Sequence, residues 1–93
     1  MRKKIKELLA QITSLLLDND QKKWAEQFDY FYQKLDIDYD NTLMEIKRTF
    51  GGAGSFNDVV LHKDGKMLIR ENRELSVLQD QLYDALKKEI ISH

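Results

Sequence analysis

Few residues in this 93-residue chain combine the types and spacing that chemistry needs. DIDYDN, Asp36 to Asn41, places carboxylates at the first, third and fifth positions of a calcium loop. Such a loop also needs Gly at its sixth position and a bidentate Glu at its twelfth. Asn41 and Lys47 stand there instead, so the stretch reads as an exposed acidic corner between helices. GGAGS, Gly51 to Ser55, has the glycine density of a phosphate-cradling loop, but no Lys precedes Ser55 as a P-loop requires. A dinucleotide fingerprint would need a preceding strand within a βαβ unit. What remains is a weak anion nest in the amides of residues 52–55. Ser55 as a nucleophile would need a base, and the only histidines are His62 and His93. No Gly-x-Ser-x-Gly elbow surrounds it, and Asp58 alone is not a mechanism. Without cysteine there is neither thiolate chemistry nor a disulfide. The residues therefore point away from an enzyme, and no metal or cofactor is expected.

Recognition is the better-supplied chemistry. FDYFYQ, Phe28 to Gln33, could stack bases, yet Asp29, Asp36 and Asp38 would repel phosphates. Phe28 and Phe31 read as core, leaving Tyr30 and Tyr32 nearer the surface. The candidate partner-binding residues are Asp29, Tyr30, Tyr32, Asp36, Asp38, Tyr39 and Asp40. Net charge is only −1, but it is segregated. Residues 1–17 carry four basic groups and one acid, and residues 18–46 carry eight acids and three bases. Residues 47–70 are again basic. An acidic surface with tyrosine anchors suits a basic protein partner. The leading expectation is a protein-binding module of the immunity or antitoxin type, directed at a basic toxin. Two alternatives stand beside it. One is a nucleic-acid-associated regulator using Arg2, Lys3, Lys4, Lys6 and the 47–70 segment; the other is an accessory protein with an anion-binding glycine loop. The N-terminus begins like an export signal, but Lys6, Glu7 and Gln11 interrupt its apolar run. No stretch approaches the roughly 18 apolar residues that span a bilayer. A cytoplasmic protein without membrane contact is expected.

The elements that must position these residues are helical. Ile5, Leu8, Leu9, Ile12 and Leu16 recur at helical spacing, and "DND" at 18–20 should end that helix, with Asp20 capping the next. Trp24, Phe28, Phe31 and Leu35 form a second stripe, which could fill the chain's own core or a dimer interface. Leu43, Ile46 and Phe50 form a third, with Asn41 or Thr42 as cap and Thr42 and Glu45 at capping-box separation. Leu75, Leu78, Leu82, Leu86 and Ile90 form the fourth and most regular face, with Asn72 as N-cap. Amphipathic helices of this size must bury their stripes on one another. The expected fold is a single mainly α domain over 1–93, a compact bundle of about four helices. Between the third and fourth lies a glycine-rich break, followed near residues 55–69 by a short helical turn or a small β-hairpin. The helical turn would use Ser55 and Asp58 as a capping box, with Gly65 closing it; a hairpin would place Gly65 in a three-residue turn. Gly51 is expected in either case as a left-handed residue ending the third helix.

At FGGAGSFNDVVLHKDG the sequence resembles a family of small uncharacterised bacterial proteins sharing a Phe-Gly-Gly-x-Gly-Ser-Phe-Asn-Asp motif, an aliphatic run and a final amphipathic helix. Phe50, Gly51, Gly52, Gly54, Ser55, Phe56, Asn57 and Asp58 match, while Ala53 stands at an x position associated with Met. The resemblance covers roughly residues 43–91. It implies a bacterial, cytoplasmic protein and carries no assigned reaction.

Overall fold

Leucine and isoleucine every third or fourth residue fold the first 17-residue segment into α1, Arg2–Asp18. Ile5, Leu8, Leu9, Ile12, Leu15 and Leu16 are buried along one side. The structure, a computed structural model, describes residues 1–51 and 55–92. Its elements continue with α2 (Lys22–Lys34), α3 (Tyr39–Arg48), a single 3-10 turn at Phe56–Asp58, strands β1 (His62–Lys63) and β2 (Lys66–Met67), and α4 (Ile69–Ser92). The described residues are 75% helical, as the four stripes predict. α1 packs on both α2 and α4, and α3 closes the bundle against α2 and α4. The fold is elongated, 43 × 22 × 21 Å. The 24 residues of α4, about 36 Å at 1.5 Å per residue, set that long axis.

The core joins all four faces. Phe28, Phe31, Leu35, Leu43, Ile46, Leu75, Leu78, Leu82 and Leu86 are buried in it with the α1 stripe. Phe28 and Phe31 of α2 thus fill the chain's own interior. Trp24 is only half-buried and packs at the margin. Each fully buried leucine or phenylalanine contributes about 1.5–3 kcal/mol relative to exposure.

Helix ends follow tertiary geometry more than capping preference. Asp20 does not cap α2; it takes a left-handed φ of 61° and completes the end of α1. The Gln21 amide donates to the Leu16 carbonyl at 2.9 Å and the Asp20 amide to Leu17 at 3.4 Å, the paired bonds of a Schellman motif. Aspartate is among the few residues other than glycine that tolerate this conformation. Gln21 is the N-cap of α2 and makes no side-chain capping bond. Neither Asn41 nor Thr42 caps α3, which starts earlier, after Asp38. Thr42 is fully buried inside the helix, where its hydroxyl donates to the Asp38 carbonyl at 2.6 Å. Asn72 likewise lies within the first turn of α4 and is no cap.

The break after α3 also departs from expectation. Gly51 has no left-handed φ; successive amides of Thr49, Phe50 and Gly51 donate to carbonyls three residues back, so α3 winds down through tighter turns. Gly52 and Gly54 lie outside the described residues. Beyond them both local readings are partly realised. Phe56–Asp58 is one helical turn, but Ser55 makes no side-chain capping bond, so the capping box with Asp58 is absent. The hairpin follows it, with His62 opposite Met67 and Lys63 opposite Lys66. Its turn has two residues, not three. Asp64 and Gly65 both have positive φ, 54° and 77°, the backbone that a type I′ turn requires and Asp-Gly favours.

Candidate functional site

Antiparallel pairing of α1 with α2 lays the basic N-terminal helix over the acidic stretch that follows it. The Lys6 ammonium donates to Asp36 at 2.5 Å and sits 4.6 Å from the centre of the Tyr32 ring. Arg2 stacks over the Tyr39 ring at 4.5 Å, and the Tyr39 hydroxyl donates to Glu89 of α4 at 2.6 Å. That one ring therefore ties the start of α1, the start of α3 and the end of α4. Burial, then the bond to Glu89, pushes the Tyr39 phenol above its ordinary value. The hydrogen bond to Asp36, with that carboxylate's charge, raises Lys6 despite partial desolvation. Lys34 is raised by its 2.9 Å bond to the Tyr30 hydroxyl and by Glu45, 3.7 Å away.

The seven candidate residues consequently divide. Asp36, Tyr32 and Tyr39 are engaged by α1, and Asp38 accepts a bond from Asn41 at 2.9 Å. Asp29, Tyr30 and Asp40 are exposed, and among the described residues Asp29 and Asp40 make no ion pair. The carboxylates of DIDYDN face different partners and do not converge. At the corner they occupy, Ile37 is 83% exposed, the most open large apolar side chain among the described residues. Asp40 and Met44, one turn apart on α3, are also exposed, Met44 by 42%. Ile37 carries no signal in the sequence, because it falls outside the periodic apolar stripes and its exposure is set by how the corner folds. Lys6 and Arg2 were equally hidden, since their partners lie about 30 or more residues away in sequence.

Among the described residues of the glycine motif, Phe50 and Phe56 are built into the interior. Phe56 is fully buried, with ring centres 4.4 Å from Phe28, 5.4 Å from Trp24 and 5.6 Å from Phe50. Its amide donates to the Thr49 carbonyl, Gln79 donates to its carbonyl at 2.9 Å, and Asn57 donates to the Phe50 carbonyl at 3.1 Å. Phe50, Phe56 and Asn57 thus dock the post-helix segment against α2 and α4. Ser55 and Asp58 line a shallow notch with Gln21 and Trp24. The cleft beside Phe50 and Asn57 presents Asp80 and Asp84 against a single cation, Lys87, a balance that disfavours anions.

A second surface lies along the other side of α1. Lys3, Glu7, Ala10, Ser14 and Leu17, spaced four, three, four and three, are all exposed. Two adjoining apolar depressions follow this stripe. One is lined by Arg2, Lys3, Lys6, Glu7, Ala10 and Tyr32; the other by Ala10, Thr13, Ser14, Leu17, Asp29 and Tyr32. The basic groups stand at the N-terminal end of α1, where the helix dipole favours acids, and the first turn holds no acid.

Among the described residues no helix is long and apolar enough to cross a membrane. No curated protein and no solved structure matches the chain significantly. A family described as Domain of unknown function (DUF6966) does match, over residues 17–69. The match runs from the end of α1 to the first residue of α4, and so overlaps the expected 43–91 only over residues 43–69. It takes in α2, the acidic corner, α3 and the glycine motif, more than half of the chain, which therefore belongs to the DUF6966 family.

Proposed function

We propose that this chain is a non-enzymatic protein-binding module of the immunity or antitoxin type, acting in a bacterial cytoplasm on a basic protein partner. In this reading the Phe-Gly-Gly-x-Gly-Ser-Phe-Asn-Asp motif is the family's hallmark, and its role is to seat Phe56 and fix α3. The observation that carries the reading is Ile37, 83% exposed and flanked by Asp36 and Asp38, with Asp40 after them. Burying such a side chain against a partner would remove apolar surface from water. With Asp40 open nearby and no ion pair on it among the described residues, Ile37 can serve as an interface anchor with an acidic group to steer a basic partner. Met44, exposed on α3, is a second apolar side chain that a partner could cover. The nucleic-acid alternative has less support, because Arg2 and Lys6 are committed to Tyr39, Tyr32 and Asp36.

The test begins with recovery of the partner by pull-down from producing cells, followed by stopped-flow association with the purified pair. Asp40→Lys should slow association and flatten its salt dependence. Ile37→Asp should act mainly on dissociation and cost about 2 kcal/mol of affinity, as central anchors do. Wild-type rates for both variants, with the fold intact by circular dichroism, would overturn the proposal.

A further inference from the structure

The outer face of α1 belongs to a different surface from the Ile37 corner, and its two halves are complementary to each other. Ala10 is the midpoint of α1 and lines both apolar depressions. Toward the N-terminus the groove is net basic, with Arg2, Lys3 and Lys6 against one acid, Glu7; toward the C-terminus it holds the exposed Leu17 and Asp29, and Asp18 ends the helix. Such a gradient is matched by its own reverse.

We infer that a second copy of this chain docks on this face, with the two α1 helices antiparallel about a twofold axis at Ala10. The small side chain at the axis lets the helices approach closely, at the 8–10 Å usual for packed helices. In this register Arg2 lies opposite the partner's Asp18 and Lys3 opposite the partner's Leu17. The stem of Lys3 covers that leucine while its ammonium reaches the carboxylate of Asp29 beyond it. Twofold symmetry repeats each pair at the other end, so one charge gradient supplies both halves of the interface. Lys3 makes no ion pair within its own chain among the described residues, and neither does Asp29. Lys3, at the dipole's unfavourable end, thereby gains a partner that its own chain does not provide, whereas Arg2 and Lys6 keep Tyr39 and Asp36. A single helix face with one flank is a small interface, so the dimer should be weak and salt-sensitive.

The chain's lack of cysteine makes a direct test possible. Ala10→Cys places two thiols at the axis and should form an intermolecular disulfide on mild oxidation. Leu17→Cys places them more than a dozen residues apart and should cross-link at least about tenfold more slowly. Sedimentation equilibrium should find a dimer at low salt, reduced to monomer by Ala10→Arg. It should also be reduced to monomer by Lys3→Glu or Asp29→Lys alone, and restored when those two are combined. Circular dichroism would establish that each variant remains folded. A wild-type chain that stays monomeric to millimolar concentration, equal cross-linking from positions 10 and 17, or a dimer indifferent to Ala10→Arg would each overturn the inference.

Discussion

Asn72 illustrates how one side chain can hold an element that has little stability of its own. Its carbonyl oxygen accepts from the Leu61 amide at 2.7 Å, and its amide donates to the carbonyls of Leu61 at 2.9 Å and Leu68 at 2.7 Å. The hairpin between those residues has only two residues per strand, far fewer than an isolated hairpin needs. Asn72→Ala leaves the Leu61 carbonyl with its backbone partner, Leu68, but strips the Leu61 amide. An orphaned buried donor costs about 1–3 kcal/mol, so urea denaturation should register a loss in that range. Hydrogen exchange should quicken at Leu61 while the amides of α1 keep their protection relative to global unfolding. In sequence Asn72 has the composition of an N-cap, and nothing local reveals that Leu61, to which it bonds twice, lies 11 residues upstream.

At the scale of elements, the apolar stripes were legible and the ends were not. All five residues read as the face of α1 are buried, as are Phe28, Phe31, Leu43, Ile46 and the four leucines of α4. Periodicity survives because burying a stripe is the largest local energy available to a helix. Caps contribute about 1 kcal/mol each, little enough for tertiary packing to move α3 back to Tyr39 and draw Thr42 inside. The left-handed residue went to Asp20, where chain reversal needed it, and not to Gly51. The acidic cluster was likewise visible as composition, but which of its members remain open depended on where α1 came to rest. Leu82→Ala should cost about 3–5 kcal/mol, since Leu82 is fully buried at the centre of α4. Leu78, 8% exposed near the margin, should fall toward 2 kcal/mol as Ala, whereas Val77→Ala, half exposed, should stay within about 0.5 kcal/mol. Denaturant midpoints at constant m-value would rank the three.

For the molecule as a whole, folding brings the basic and acidic portions of the chain together, and this has a pH signature. Tyr39, Lys6 and Lys34 all hold their protons more tightly folded than unfolded. Above the ordinary values of 10.0 for the phenol and 10.5 for the ammonium groups, the unfolded chain therefore releases protons that the folded chain retains. Stability contributed by these groups is complete below pH 10 and is lost as pH rises beyond it. Unfolding free energy measured between pH 8 and pH 11 should accordingly decline only in the upper part of that range. Tyr39→Phe cannot ionise and should show a shallower decline, together with lower stability at pH 8 from loss of the bond to Glu89. An equal alkaline slope in the variant would remove Tyr39 from the account.

The ring of Tyr39 also acts as a ruler. With Arg2 on its face and Glu89 at its hydroxyl, residues near the two extremities of the fold lie within a few residues' reach of each other. The bundle is thus closed like a ring with a small gap, and the gap can be moved. A circular permutant that joins these extremities through a short Gly-Ser linker, and opens instead between the exposed Asp64 and Gly65, keeps all four helices and every interhelical contact. It should unfold cooperatively with native helical content, because permutation is tolerated where the ends adjoin and the new opening lies at an exposed turn. Failure to fold would mean that the order in which the helices leave the ribosome matters more than where they finally lie.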